Sequence, residues 1–334
     1  MYKIAVTGVG GGVGQSVLKS LQGGEYDIVA LDGDKHGAGL YAAPKSYIIP
    51  YAADPGYIDS LLDICAKERC DLLFPGLDAE LPYLSKSRDR FLEVGTTVLV
   101  SDENLIEIAD NKWRTYTALS QLGIAVPRTQ ILPDYFTSPE IGFPLILKPM
   151  KGGARSKNVF TIKSRDQLDY IHRFMLEGST DYVAQEYIKG DEYTCGSINM
   201  DGVCHGVITM RRILRDGDTY KAFVEKNTIV EECVLSLMGR LKPFGACNAQ
   251  IRLRDNIPYV FEINARCSGT TAARALAGFN EPKMIADYLL KKIKPAYKIR
   301  EISILRYWKE IAVSNERIAN LSKIGIADGD GVTL

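Results

Sequence analysis

No excess of charge of either sign marks this 334-residue chain: Lys+Arg and Asp+Glu are balanced at 41 each. A surface built on basic excess for nucleic acid or membrane is therefore not expected. Histidine is scarce. Its three residues, His36, His172 and His205, lie far apart, which argues against a zinc site. The seven cysteines are scattered and contain no Cys-x-x-Cys pair, so they read as reduced core thiols of a cytoplasmic protein. No apolar run approaches the ~20 residues of a membrane span. Residues 1–6 read as the start of a strand and lack a signal-peptide pattern. Internal repeats and low-complexity segments are missing too. What remains is an ordinary globular composition with a length for roughly two to three domains.

Residues 1–100 alternate between strand and helix patterns, with strands near 3–7, 28–31, 71–74 and 97–100 and helices near 14–22 and 57–67. That order predicts a parallel sheet with helices on both faces. The turn Gly8-Val9-Gly10-Gly11-Gly12-Val13-Gly14 follows the first strand, and Asp32 closes the second. No register gives G-x-G-x-x-G, so a tight ligand-free turn explains these glycines as well as a dinucleotide does. A helix over 105–122 ends at Gly123. Beyond it the pattern becomes α+β: strands near 144–149, 159–162 and 182–187, a helix over 166–176, then a larger antiparallel region over roughly 190–290.

The most informative stretch is Asn248-Ala249-Gln250 followed by Tyr259-Val260-Phe261-Glu262-Ile263-Asn264-Ala265-Arg266. Strand side chains alternate faces, so Glu262, Asn264 and Arg266 share one side. Residues 254–258 read as the hairpin connection. With a three- or five-residue loop Gln250 faces Glu262; an even loop puts them on opposite faces. Buried polar groups cost free energy unless paired or liganded, so three oxygen-bearing side chains and a guanidinium on one face ask for a ligand. Hard oxygens with few charges suit Mg²⁺ or Mn²⁺ held jointly with nucleotide phosphates. The plainer alternative is a solvated hairpin face.

Two further segments point the same way. Lys148 ends a strand and precedes a loop with Gly152, Gly153, Ser156 and three more basic residues, the amides and ammonium that phosphates require. It is not a Walker-type P-loop, and a charged hairpin loop is the alternative. Next, Ala184-Gln185-Glu186-Tyr187-Ile188-Lys189-Gly190-Asp191-Glu192 sets two acids on either side of a bend. There a carboxylate can accept from ribose hydroxyls and backbone can pair with an adenine edge.

In this order and spacing, Asp110-Asn111-Lys112, Ile146-Leu147-Lys148-Pro149, Gln185-Glu186-Tyr187-Ile188 through Glu192, and Asn248-x-Gln250 with Glu262-Ile263-Asn264-x-Arg266 resemble an ATP-grasp enzyme of the carbamoyl-phosphate-synthase-large-subunit-like group. The resemblance implies a mixed α/β and α+β fold: a Rossmann-like N-terminal domain (1–105), then a two-lobed ATP-grasp domain with a small lobe (106–188), a large lobe (189–295) and a C-terminal extension (296–334). It implies ATP and Mg²⁺ (or Mn²⁺) as cofactors. Lys112 and Lys148 would meet the phosphates, residues 152–158 would form a mobile lid, and Glu186, Tyr187 and Ile188 would meet adenine. Glu192 would take the ribose, and Gln250, Glu262 and Asn264 would hold two metal ions, with Arg266 facing the transferred phosphoryl. Ala265 departs from the proline common in the family.

The chemistry so implied is ATP-dependent carboxylate–amine ligation through an acyl phosphate, with ADP and phosphate as products. It runs on positioning and electrostatics and needs no His or Cys nucleophile. Only one half of a carbamoyl-phosphate-synthase-like arrangement is present, so a stand-alone ligase is expected. Its partners would be small-molecule carboxylate and amine substrates, with no nucleic acid or membrane, and a homodimer as an option. Arg211, Arg212, Arg215 and Arg274 are candidates to clamp a substrate carboxylate, and Asp78 and Glu80 to contact an amine. Two rival readings stay open: an NAD(P)-dependent oxidoreductase using Gly8–Gly14 and Asp32, and a non-catalytic nucleotide-binding subunit.

Overall fold

A computed structural model describes residues 1–152, 156–307, 309–328 and 334. Three sheets organise them. The N-terminal sheet has six strands in the order Ile326–Asp328, Lys45–Ile48, Tyr26–Asp32, Tyr2–Val6, Leu72–Phe74 and Thr97–Val98. Pairing is parallel except at the first edge, where the C-terminal strand returns antiparallel. Buried on both faces, the central strands read as continuous apolar runs, as a parallel sheet requires. Helix Gly12–Leu21 follows the first strand through the glycine turn. A Cβ at Gly14 would lie 2.3 Å from Gly8 O, so this close crossing of helix and turn admits only glycine.

In the same turn the acid that a dinucleotide ribose would need is already engaged. Asp32 is consumed locally: Oδ2 accepts from Gly10 N at 2.6 Å and Oδ1 from Asp34 N at 2.9 Å. A Cβ on Gly10 would sit 3.0 Å from Gly37 Cα, so the loop after the second strand packs closely against one side of the turn.

A single helix over 105–122 was expected; two are observed, Glu103–Asp110 and Lys112–Gln121. Asn111 breaks the run by capping the second, its side chain accepting from Trp113 N and Arg114 N. A four-stranded antiparallel sheet follows: Thr129–Ile131, Tyr182–Glu186, Leu145–Pro149 and Phe160–Ile162. The third sheet has six antiparallel strands in the order Ile257–Asn264, Gly245–Arg254, Asp191–Met200, Val203–Arg215, Asp218–Val224 and Ser303–Leu305. The chain after residue 300 thus adds an edge strand to two different sheets.

One apolar core joins the first and third sheets. Ile4, Val6 and Leu18 belong to the same buried cluster as Ile198, Met210, Phe279 and Ile285. The four-stranded sheet keeps a separate core around Leu145, Leu147, Ile162 and Tyr182. No helix among the described residues is long and apolar enough to cross a membrane.

Candidate active site

The hairpin that carries the acid at 262 reaches its register by an unexpected route. Arg254 pairs with Ile257, so the connection is the two-residue turn Asp255-Asn256, both at positive φ (51° and 62°). This is the type I′ geometry that Asp and Asn tolerate. An even loop alone would put Gln250 and Glu262 on opposite faces. A bulge between Gln250 and Ile251 restores parity: Ile251 pairs with Val260, Gln250 with Glu262, and Phe261 is the extra residue. The carbonyl of Phe261 is not lost, because Lys148 Nζ donates to it at 3.3 Å.

With that register, two cross-strand rows lie next to each other: Thr194–Gln250–Glu262 and Gly196–Asn248–Asn264. Their side chains form one network. Gln250 Nε2 donates to Glu262 Oε1 at 3.3 Å, and Asn264 Nδ2 donates to the same oxygen at 3.2 Å. The amide oxygens face guanidinium groups: Arg212 Nη2 lies 2.8 Å from Gln250 Oε1, and Arg266 Nη2 3.2 Å from Asn264 Oδ1. Arginine can only donate, which fixes the orientation of both amides. Arg266 Nη2 also meets Asp78 Oδ2 at 2.5 Å, tying the third sheet to the N-terminal domain.

These groups open onto a cleft of about 830 Å³. Gln250, Glu262, Asn264 and Arg266 form its floor together with Thr194, Asn248 and Arg212. Lys112, Gly152 and Lys157 line one side; Gly10–Val13, Asp78 and Ser268–Thr270 line the other. Arg306 from the C-terminal extension reaches in as well. Lys148 is buried next to the floor, and desolvation pulls its pKa down to about 8, against the opposing pull of Glu262. Lys112 caps the entrance of the glycine loop: its backbone N donates to Met150 O at 2.8 Å and its ammonium to Gly152 O. Ser156 is exposed, and Gly153 lies outside the described residues.

Other expected residues stand elsewhere. Glu186, Tyr187 and Ile188 lie beyond the lining, with Glu186 between Arg128 (3.4 Å) and Arg254 (3.2 Å). Glu192 was expected to take a ribose but is buried outside the lining, its two oxygens paired with Arg212 and Arg252. Glu80 is not a substrate contact. It is fully buried and accepts from Thr7 Oγ1, Gly76 N, Leu77 N and Tyr57 Oη, so it pins the loop that presents Asp78. Burial raises its pKa against the pull of those donors.

Arg274 is likewise structural. Both it and Glu281 are 0% exposed and pair at 2.8 Å beneath Asn248. Its other N–H groups hold Ser268, Thr270 and Thr271, fixing the loop that walls the cleft. Arg211 pairs with Glu225 at 3.2 Å and packs on Phe223, and Arg215 is 68% exposed beside Asp216. Neither lines the cleft. Sequence reasoning missed Thr194, whose alternation with Glu192 was a usable signal. It also missed Arg306 and the use of Gly10–Val13 as cleft wall, which no local pattern announces.

Residues 4–99 match the model described as PylC-like, N-terminal domain, and residues 109–270 the model described as ATP-grasp domain. D-alanine–D-alanine ligase A of Bacillus cereus is 30% identical over 139 residues, 37% of this chain and 45% of that protein. The carbamoyl phosphate synthase large chain of Saccharolobus islandicus is 26% identical over 196 residues, 53% of this chain and 18% of that one. The chain thus matches about half the length of the D-alanine–D-alanine ligases it resembles. Among solved structures, an ADP complex of N5-carboxyaminoimidazole ribonucleotide synthetase superposes with TM-score 0.74 at 15% identity, covering 97% of this chain and 84% of that one. The enzyme of that type from Staphylococcus aureus, complexed with ADP, gives 0.70 at 18%, covering 85% and 76%. At such identities the superpositions speak for the fold alone. The chain thus carries an ATP-grasp domain over residues 109–270 behind a PylC-like N-terminal domain over residues 4–99.

Proposed function

We propose that this protein is an ADP-forming carboxylate–amine ligase working through an acyl phosphate. The observation that carries the reading is the single-faced network of Gln250, Glu262, Asn264 and Arg266 on the floor of a cleft shared with Lys112 and Gly152. The relatives named as ligases support it. Residues 1–105 would be the N-terminal domain, 106–188 and 189–295 the two lobes and 296–334 an extension.

The donor chemistry fits a divalent cation. Gln250, Glu262 and Asn264 offer one carboxylate and two amide oxygens; with the amides held as they are by Arg212 and Arg266, each oxygen would share its second lone pair with the cation. Among the described residues no group of three His, Cys, Asp or Glu could hold a metal ion. With a single carboxylate among its donors, the site suits a cation held jointly with phosphate oxygens. When bound, the cation supplies charge neutralisation on the phosphates.

The residues would do the rest. A substrate carboxylate oxygen attacks the γ-phosphorus, and the bond to the β,γ-bridging oxygen breaks to release ADP. Lys148, Lys112 and Arg266 stabilise the charge spreading over the equatorial oxygens. An amine then attacks the acyl carbon, the C–O bond to phosphate breaks, and the nitrogen loses a proton to give the amide. Adenine would lie toward Glu186, Tyr187 and Ile188.

Glu262→Ala should abolish Mg²⁺-dependent ADP release while leaving the melting profile of the free protein close to wild type. Persistence of ADP formation in that variant would refute the site. ATP should raise the melting temperature only with Mg²⁺. Screening ADP release against pools of amino acids and small carboxylic acids, with the adduct identified by mass, would name the substrates.

A further inference from the structure

We propose that one of the two substrates carries a second anionic group, a carboxylate or a phosphate, remote from the bond being made, and that Arg306 recognises it. The proposal rests on the ligase reading above. Arg306 follows the edge strand Ser303–Leu305, which is anchored by the buried Ile304. Its backbone N donates to Tyr220 O at 3.2 Å and its Nη1 to Thr219 O at 3.1 Å. Main chain and guanidinium are thus both tied to the strand Asp218–Val224, and the side chain lines the cleft beside Gly217, Asp218 and Thr219.

Three arginines line the cleft, and two are neutralised: Arg212 by Glu192 and Arg266 by Asp78. Arg306 pairs with no acid among the described residues; even Asp218, in the turn beside it, forms no ion pair with it. Among those residues its Nε and Nη2 keep their N–H groups, the edge that meets a carboxylate or phosphate with two parallel bonds. The surroundings add positive charge. Lys19, on helix Gly12–Leu21, has its pKa lowered first by burial and then by Arg306 and Lys309. Gathering cations in this way costs free energy that a bound anion relieves. The place is also separate from the phosphoryl centre. Glu262 lies on the strand at one edge of the six-stranded sheet, and Arg306 just past the strand at the other. Five steps of about 4.8 Å separate their backbones by up to roughly 24 Å. Gln250, Arg212 and Thr219 stand between them in one bonded row. An anion held by Arg306 therefore belongs to a substrate and not to the phosphates of ATP.

The test is steady-state ADP release with amino acids, dicarboxylic acids and O-phosphoserine, each run beside its carboxamide or dephosphorylated analogue. Wild type should use a substrate with an anionic group outside the new bond, and removing that group should raise its KM at least about tenfold, the loss of a charge-assisted pair. Arg306→Gln should raise KM for the anionic form at least about tenfold, with kcat within about threefold and KM for the uncharged analogue within about twofold. Arg306→Lys should recover part of the loss, and the pair of analogues that responds tells a carboxylate from a phosphate. Calorimetric binding of magnesium–AMP-PNP to Arg306→Gln should match wild type within about twofold, which also shows that the variant folds. Equal KM increases for charged and uncharged forms, or none, would overturn the proposal, as would efficient turnover of substrates with no second anion. A selective loss of magnesium–AMP-PNP affinity would overturn it too, by placing Arg306 on the nucleotide. Failure of wild type to bind magnesium–AMP-PNP would instead strike the ligase reading itself.

Discussion

Two arginines, Arg266 just past the strand Ile257–Asn264 and Arg274 on the helix Thr271–Leu276, both bond to the third sheet and have opposite fates. Each is bonded to an Asn of the sheet: Arg266 to Asn264 and Arg274 to Asn248. Each pairs with a carboxylate, Asp78 for the first and Glu281 for the second. Asp78 is 45% exposed at the cleft, while Glu281 and Arg274 are both sealed at 0%. Arg266 keeps one face toward the cleft, whereas Arg274 spends its two Nη groups on the loop at 268–271 and on Glu281. Residue type and kinds of partner, an Asn and a carboxylate, are alike in the two places. Access to the cleft separates a group that can work from one that can only hold.

The comparison breaks first at the sealed pair. Arg274→Met should leave Glu281 buried and unpaired and cost about 3–5 kcal/mol of stability. Denaturant titration would read it, and Arg274→Met/Glu281→Leu should recover much of the loss. A cost below about 1 kcal/mol would mean the pair is not sealed. Arg266→Met should behave the other way round. We expect ADP release to fall about 10²–10³-fold, the cost of losing a preorganised donor at developing charge. Stability should change far less than at Arg274, because Asp78 can turn to solvent. Equal destabilisation by both substitutions would erase the distinction drawn here.

Which of these features can be read from the chain itself follows a physical line. The N-terminal βαβ order and the single-faced set at 262–266 are legible because they rest on periodicity and local order. The turn Asp255-Asn256 carries the type I′ signal as well. The bulge at Phe261 does not: no glycine marks it, and its stray carbonyl is satisfied by Lys148 from another sheet. Without it, parity from the turn alone gives the wrong face. The burial of Arg274 is equally hidden. A charged residue on a short helix looks solvated until Glu281, on the next helix, closes over it. Arg306 enters the cleft only because the tail pairs with Asp218–Val224, a contact between segments distant in the chain.

Lys148 sharpens the comparison with a third buried cation that has neither a direct acid partner nor arginine's high pKa. It is 5% exposed and bonded only to the Phe261 carbonyl among the described residues, so burial lowers its pKa to about 8. Between about 8 and 10.5 the unfolded chain therefore holds a proton that the folded one has released, and this group's contribution to stability rises with pH across that window. Binding should run the opposite way. A phosphate favours the ammonium, so affinity for magnesium–ATP should weaken as pH climbs through 8, by no more than about tenfold per unit. Binding above pH 8 should also take up a proton, measurable by calorimetry in buffers of different ionisation enthalpy. Lys148→Arg keeps its charge over this range and should flatten both trends. A pH-independent affinity in wild type would mean that Lys148 does not meet the phosphates, leaving the cleft to Lys112 and the arginines.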